Sequence, residues 1–243
     1  MTISEKLERA KTDIDDVFNA GKQAEYDAFW DILQDKGNRK NYQFAFGGHG
    51  WTDETFKPKY DIVLDKSYNA GLFRTCTKIT DLYALTIGRG LAFDTSKATS
   101  LNEAFASCLA MNHIPALDIS STTSAYGLCL SCKKLITIDK LVSGENVKWY
   151  SNSFQDCESL ENLIVEGTIG QDGFDVHWSV NLSKASIESI MSAITTTKAI
   201  TVTFSKTAVD KAFETTEGAN DGSTSIEWET LVDTRPLSTI ALA

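Results

Sequence analysis

The stretch Asn152-Ser-Phe154-Gln-Asp-Cys157-Glu-Ser-Leu160-Glu-Asn-Leu163 decides the fold, because an apolar residue recurs in it at every third position from Phe154 onward. The same template occurs three more times upstream, in copies that begin at Phe73, Phe105 and Cys129. The template cysteines are Cys76, Cys108, Cys132 and Cys157. The sequence therefore predicts four units of one repeat, with an insertion of about eight residues in the first unit, within 88–98.

Units of this size need stacking to form a core. A half-turn that carries Phe, Cys and Leu at steps of three has its apolar side chains on one side, and a single unit of about 24 residues cannot bury that side. Stacking places each unit over the next, with the free cysteines as small buried apolar residues. One strand candidate follows each half-turn, and a fifth lies in the insertion: 82–87, 114–119, 135–138, 163–165 and 91–95. These strands predict an α/β solenoid with a continuous parallel sheet.

The template Phe-x-x-Cys-x-x-Leu-x-x-Ile, preceded by small residues or Tyr, resembles a BspA-like leucine-rich repeat over about residues 58–190. Its period lies within the range of about 20 to 29 residues found in leucine-rich repeats. The order of segments is also similar to that of tail-associated proteins of gut-bacterium phages and prophages. The resemblance implies a solenoid used in adhesion or surface recognition, and it implies no catalytic residues. Cys129 departs from the pattern, because Phe is usual at its position.

The N-terminal segment 1–37 has the pattern of an assembly helix. Small or apolar residues recur in alternating steps of four and three: Ile3, Leu7, Ala10, Ile14, Val17, Gly21, Ala24 and Ala28. A stripe this narrow is typical of a helix that packs on a partner helix. We expect an amphipathic or coiled-coil helix that joins copies of the chain or anchors it to other tail proteins; the alternative is a helix packed on its own domain.

Residues 38–60 are rich in glycine and aromatic residues, and this composition predicts a connector. Its glycines at 47, 48 and 50 are not followed by the Lys-Ser or Lys-Thr of a phosphate-binding loop. The repeats are expected to fill 61–190.

The C-terminal segment 191–243, together with the end of the repeat region, predicts an α/β cap. Apolar and polar residues alternate over 174–182, which predicts a strand with Trp178 inward and His177 outward. Ser183 is expected to cap a helix that contains Ile187 and Met191. A strand at 200–204, a short helix at 208–213, a loop at 217–222, a last helix around Trp228 and an edge strand at 240–242 complete the cap.

Composition excludes several partners. The chain of 243 residues has a formal net charge of −10, and its basic residues form no cluster larger than Arg39-Lys40. Nucleic acid and anionic membranes are therefore not expected as partners. Five cysteines, an odd number, and a first segment without an apolar run predict reduced thiols and synthesis in the cytosol without a signal peptide. The mature location would be the cytosol or a virion.

No motif predicts catalysis, a metal or a cofactor. Cys129-x-x-Cys132 has no second pair of ligands for zinc, and the repeat phase already accounts for both residues. His49, His113 and His177 lie far apart in the sequence, and their separation matches no metal or catalytic spacing. We therefore expect no catalytic residue, no metal and no cofactor.

Candidate binding residues follow from the repeat register. Trp149 falls where earlier units have Ser100 and Ser124, so we expect its ring to be exposed, with Tyr150 facing inward. The alternative is that the Trp149 ring packs on a neighbouring loop. The outward register of the strands also contains four polar residues: Asp94, Asp118, Asp175 and His177. These are either a recognition surface or an ordinary solvated face.

The function predicted is non-enzymatic recognition or adhesion, with a host surface glycan or protein as the ligand. Two alternatives remain open. A solenoid can carry a carbohydrate-active site, and 33 carboxylates always allow an acid pair in space. A purely structural virion assembly protein is the other alternative.

Overall fold

The computed structural model describes residues 46–48, 50–58, 61–64, 69–213 and 226–243. The predicted N-terminal helix 1–37 and the loop 217–222 lie outside these residues. The described strands and helices are, in order, β1 Ile62–Val63, α1 Leu82–Leu85, β2 Phe93–Asp94, β3 His113–Ile114, β4 Leu117–Asp118, β5 Thr137–Ser143, β6 Asn162–Gly167, β7 Phe174–Val176, α2 Lys184–Ala193, β8 Thr201–Phe204, α3 Lys206–Ala212, α4 Ile226–Asp233 and β9 Thr239–Leu242. A turn of 3₁₀ helix, Ile87–Arg89, follows α1.

The strands pair in parallel, each with a strand of the next unit. His113 of β3 pairs with Thr137 of β5, and Thr137 pairs with Asn162 of β6, so paired residues are one repeat period apart. β4 also pairs with β5, and β1 pairs with β2. The half-turns form a second ladder, in which the amide of Phe105 donates to the carbonyl of Leu128 at 2.9 Å. Consecutive copies of the template therefore satisfy each other's backbone groups.

The template cysteines form a buried column. The Sγ of Cys108 donates to the carbonyl oxygen of Phe73 at 3.0 Å, one unit earlier. The other template thiols do the same: Cys76 to Phe46, Cys132 to Phe105 and Cys157 to Cys129, at 3.0 to 3.1 Å. All five cysteines are free and buried, as predicted. Burial raises the pKa of the Cys76 thiol to about 12, so this thiol remains a neutral donor.

The stack begins earlier than the sequence predicted. The ring of Phe46 stacks on Phe73 at 4.8 Å, and Phe73 stacks on Phe105 at 5.6 Å with nearly parallel planes. The carbonyl oxygen of Phe46 also accepts the hydrogen bond from the thiol of Cys76, as the carbonyl of Phe73 does from Cys108. Phe46 therefore occupies the template Phe position of a further copy. Part of the segment 38–60, predicted to be a connector, therefore packs as a repeat unit.

The residue before each template cysteine has a left-handed backbone conformation. Four non-glycine residues have φ between 59° and 62° there: Thr75, Ser107, Ser131 and Asp156. This conformation is unfavourable for most L-residues, and it turns the chain at the same place in every unit. The sequence analysis did not identify this turn, although Ser, Thr or Asp stands before every template cysteine.

The first unit differs from the prediction, because 82–87 is helical instead of a strand. The carboxylate of Asp81 accepts from the amide of Ala84 at 2.8 Å and caps α1. Asp81 itself still pairs with His113, so the chain leaves the ladder immediately after that bridge. We call residues 82–92 the inserted segment. The predicted strand in the insertion is confirmed in part, since β2 pairs with β1.

The C-terminal elements agree with the sequence pattern. Ser183 caps α2 through its side chain, and β7, β8 and β9 form a parallel sheet. α2 occupies the place of a next strand, because the Oγ of Ser186 accepts from the amide of Leu163 at 2.9 Å. The Oγ of Ser189 accepts from the amide of Val165 at 3.1 Å. Two serine hydroxyls thus accept hydrogen bonds from the amides on the outer edge of β6. On an exposed edge, these amides would be free to pair with strands of other molecules.

The predicted orientation of Trp178 was wrong. β7 ends at Val176, and the carboxylate of Asp175 accepts from the amide of His177 at 3.0 Å. This turn breaks the alternation, so Trp178 is 36% exposed and Ser179 is buried instead.

Candidate recognition surface

Trp149 is buried, with 2% of its surface exposed, so the prediction of an exposed ring was wrong. Lys148 pairs with Ser124, which places Trp149 beside the buried Ala125 instead of beside Ser124. The fourth unit has one residue more between this bridge and its cysteine than the third unit, and counting back from Cys157 therefore shifts the register by one. Tyr150, predicted inward, is half-buried at the surface.

Asp94 and Asp118 are half-buried and engaged with their own backbone. The Oδ1 of each accepts from the amide two residues later, that of Ser96 or of Ser120, at 2.9 Å. Hydrogen bonds from Ser96 lower the pKa of Asp94, and the bond from the Ser96 hydroxyl has a larger effect than the bond from its amide. The hydroxyl of Thr95 donates to the carbonyl of Asp118 at 2.9 Å and links the two units. Both carboxylates thus hold turns after their strands.

Asp175 and His177 belong to the region of the separate sheet of β7, β8 and β9. The Nδ1 of His177 lies 2.6 Å from the Oδ1 of Asp175, and the ring packs against Trp178 at 4.8 Å. Asp175 is buried, contrary to its predicted outward position, because its carboxylate accepts from the His177 amide in the turn after β7. The structure does not bring this pair together with Asp94 and Asp118 in one sheet.

The structure reveals a cluster that the sequence analysis missed. The Nε2 of His113 lies 2.7 Å from the Oδ1 of Asp139, and its Nδ1 lies 3.5 Å from the Oδ1 of Asp81. The ring of Tyr83 stacks on His113 at 4.8 Å, with planes 7° apart. We call Asp81, Tyr83, His113 and Asp139 the His113 cluster. Its members come from three successive units, so each unit helps to fix the others.

Two local irregularities build the His113 cluster. The first is the start of α1 after Asp81, since it carries Tyr83 over the His113 ring. The second is a register shift between β5 and β6 after Ile138, where Asp139 stands. Bulges of this kind re-aim side chains beside functional sites. A sequence signal existed, because alignment of the strands in repeat register places Asp81 and His113 in one column.

The inserted segment extends from the His113 cluster into solvent. Beyond α1, the side chain of Ile87 is 37% exposed and Arg89 is exposed. Gly90 ends the 3₁₀ turn in a left-handed conformation, with φ of 78°. The inserted segment therefore exposes one apolar and one cationic side chain, while the stacking of Tyr83 on His113 holds its first turn in place.

A second surface is formed by two tyrosines of adjacent units. Tyr126 is 42% exposed, and its ring meets that of Tyr150 edge to face at 5.3 Å. The Nζ of Lys148 lies 5.3 Å from the centroid of the Tyr150 ring. We call Tyr126 and Tyr150 the tyrosine pair. Their separation by one repeat period in the sequence is the signal that could have identified them.

Comparison with protein-family models, curated proteins and solved structures gave no match to this chain. Among the described residues, no group of three or more His, Cys, Asp or Glu side chains could hold a metal ion. Nor is any helix in this part of the chain long and apolar enough to span a membrane.

Proposed function

We propose that the chain is an α/β solenoid of the leucine-rich-repeat type, in which the unit that contains Phe46 precedes the repeats of 61–190 and a cap follows over 191–243, and that it acts in recognition or adhesion. Parallel pairing between strands one repeat period apart supports the solenoid. The column of thiol donors, which recurs from unit to unit, supports it as well. The end of the stack is covered by α2, as a repeat array requires.

The inserted segment and the His113 cluster form the proposed recognition surface. The observation that carries this proposal is the stacking of Tyr83 on His113, which fixes the base of the insertion while Ile87 and Arg89 stay exposed. Insertions in repeat proteins map to loops on one face, often the binding face. A loop fixed in advance loses little conformational entropy when it binds.

The surroundings of His113 and of the cysteine thiols support binding without turnover. Both ring nitrogens of His113 face carboxylates, so neither is free to act as a general base on a substrate. Burial raises the pKa of the thiols of Cys108, Cys129 and Cys157, whereas hydrogen bonds from Cys108 and Cys129 lower the pKa of Cys132. All of these thiols are buried in the core, where a substrate does not reach them as nucleophiles. The proposed ligand is a glycan or protein of a host surface, and the resemblance to tail-associated proteins supplies the virion setting. Self-association through 1–37 belongs to the same proposal.

Binding of the labelled full chain to intact gut bacteria, measured by flow cytometry, tests the proposal. We expect Ile87→Ser and Arg89→Gln each to weaken binding about tenfold, because each removes an exposed contact without touching the core. Leu237→Ser is the matched control, since Leu237 is 52% exposed but lies between α4 and β9. Equal binding by all four proteins, or no binding by any, would contradict the proposal.

A further inference from the structure

The tyrosine pair leaves hydrogen-bonding groups unused. Neither phenol hydroxyl, of Tyr126 or of Tyr150, has a hydrogen-bond partner within the part of the chain that the structure describes. Tyrosines that combine an exposed ring with a free hydroxyl are typical of binding surfaces, since one group contacts apolar ligand atoms and the other polar ones.

The positive charge beside the tyrosine pair is not neutralised by the protein. Lys148 forms no ion pair with any residue that the structure describes. Three carboxylates of the neighbouring segments have other partners. That of Asp172, which adjoins the Gly173 that lies against the backbone of Tyr150, accepts from the amide of Thr201 at 2.6 Å. Glu145 pairs with Lys198 at 3.8 Å, and Glu103, whose amide donates to the carbonyl of Tyr126, pairs with Arg74 at 2.8 Å. In a chain with a net charge of −10, this leaves a local cation over the Tyr150 ring of the tyrosine pair.

Hydrogen bonds hold the backbone that carries Lys148 and Tyr150 in place. The amide of Lys148 donates to the carbonyl of Thr123 at 3.2 Å, and the amide of Ala125 donates back to the carbonyl of Lys148 at 3.0 Å. The amide of Tyr150 donates to the Oγ of Ser153 at 3.1 Å. The backbone at this surface is therefore ordered before a ligand binds, which favours affinity.

We propose that Tyr126, Tyr150 and Lys148 form a binding site for a sugar that carries a carboxylate, as in uronic and sialic acids. The exposed Tyr126 ring stacks on the apolar face of the pyranose, and the Lys148 ammonium donates charge-assisted hydrogen bonds to the carboxylate. The free phenol hydroxyls bind the sugar hydroxyls. This site is separate from the inserted segment and does not rest on the function proposed for it.

Calorimetry on the full chain tests the site with two matched pairs of probes. The first pair is tetragalacturonate and its methyl ester, and the second is sialyllactose and lactose. We expect at least one acid to bind about tenfold more tightly than its neutral counterpart. Lys148→Gln is expected to abolish that difference, and Tyr126→Ala to weaken binding of the acid about tenfold. Lys134→Gln removes an equal charge from another exposed position and is expected to bind as the wild type does.

Three results would overturn the proposal: neither acid binds, the neutral counterparts bind equally well, or Lys134→Gln reduces affinity as much as Lys148→Gln. The last result would mean diffuse attraction between the protein and an anion. Ile87→Ser separates this proposal from the other one, since it is expected to reduce binding to cells through the inserted segment while leaving the affinity for acidic sugars unchanged.

Discussion

Replacement of Trp149 tests the register of the fourth unit. A buried aromatic side chain removes about 150 to 250 Å² from water, which is worth about 4 to 6 kcal/mol at about 25 cal/mol per Å². The ring packs on Phe174 at 4.7 Å and on Phe154 at 6.0 Å. We therefore expect Trp149→Ala to lower the free energy of unfolding by about 3 to 5 kcal/mol, the usual range for such truncations.

Trp149→Phe separates packing from polarity at the same site. The Nε1 of Trp149 is buried without a hydrogen-bond partner in the described part of the chain, and such a group destabilises by about 1 to 3 kcal/mol. Phe keeps most of the ring contact and removes this donor, so the two effects offset each other and the expected change is below about 1 kcal/mol.

Urea unfolding followed by far-ultraviolet circular dichroism measures both variants without relying on tryptophan emission. Trp178→Ala is the control, because a side chain that is 36% exposed should cost less than about 1 kcal/mol. The reasoning is refuted if Trp149→Ala changes the free energy of unfolding by less than about 0.5 kcal/mol, as expected of a surface residue. It is also refuted if Trp149→Phe costs as much as Trp149→Ala.

Three further changes probe the stack. Gly167→Ala places a methyl group against the carbonyl oxygen of Ser143 at a φ of 79°, so we expect a loss of more than about 2 kcal/mol in urea unfolding. Ser186→Ala leaves the amide of Leu163 unpaired, and a loss of about 1 to 3 kcal/mol is expected by the same method. Stability is also expected to fall as the pH rises from about 9 toward 12: burial raises the pKa of Cys76 from its usual 9.0 to about 12, so only the unfolded thiol ionises in that window.

Each of these changes has a matched control. Gly50→Ala meets a similar φ of 68° in open space, so it should cost about 1 kcal/mol, less than Gly167→Ala. Ser192→Ala removes an exposed hydroxyl of α2 and should change stability by less than about 0.5 kcal/mol. Cys76→Ala should reduce the slope of the alkaline part of the pH profile without abolishing it, because burial also raises the pKa of Cys108, Cys129 and Cys157. An unchanged profile would contradict the assigned burial of that thiol.

The repeat template explains why much of the architecture was predictable. Side chains at steps of three identify the buried residues directly, and all the template cysteines are buried as predicted. The alternation over 82–87 is compatible with a strand or a short helix, and the cap by Asp81 decides between them through one hydrogen bond. The N-terminal side of the stack was missed because Phe46 lacks the cysteine three residues later that defines the other units.

The candidate sites were harder to predict, because they depend on register to a single residue. One extra residue in the fourth unit exchanged the predicted positions of Trp149 and Tyr150. The contact between His113 and Asp139 depends on the bulge in β5, for which the repeat period carries no signal. Outward register alone could not show that Asp118 is engaged by the amide two residues later.

Recovery of the bound ligand tests the central claim of recognition without turnover most directly. The full chain is incubated with glycans released from a bacterial surface that it binds, and the bound and free fractions are analysed by mass spectrometry. We predict saturable retention of glycans whose masses are unchanged after prolonged incubation, and reduced retention by Lys148→Gln or Arg89→Gln. Progressive appearance of shorter glycans would contradict the account and identify an enzyme, whereas the absence of retained ligand would leave only a structural role.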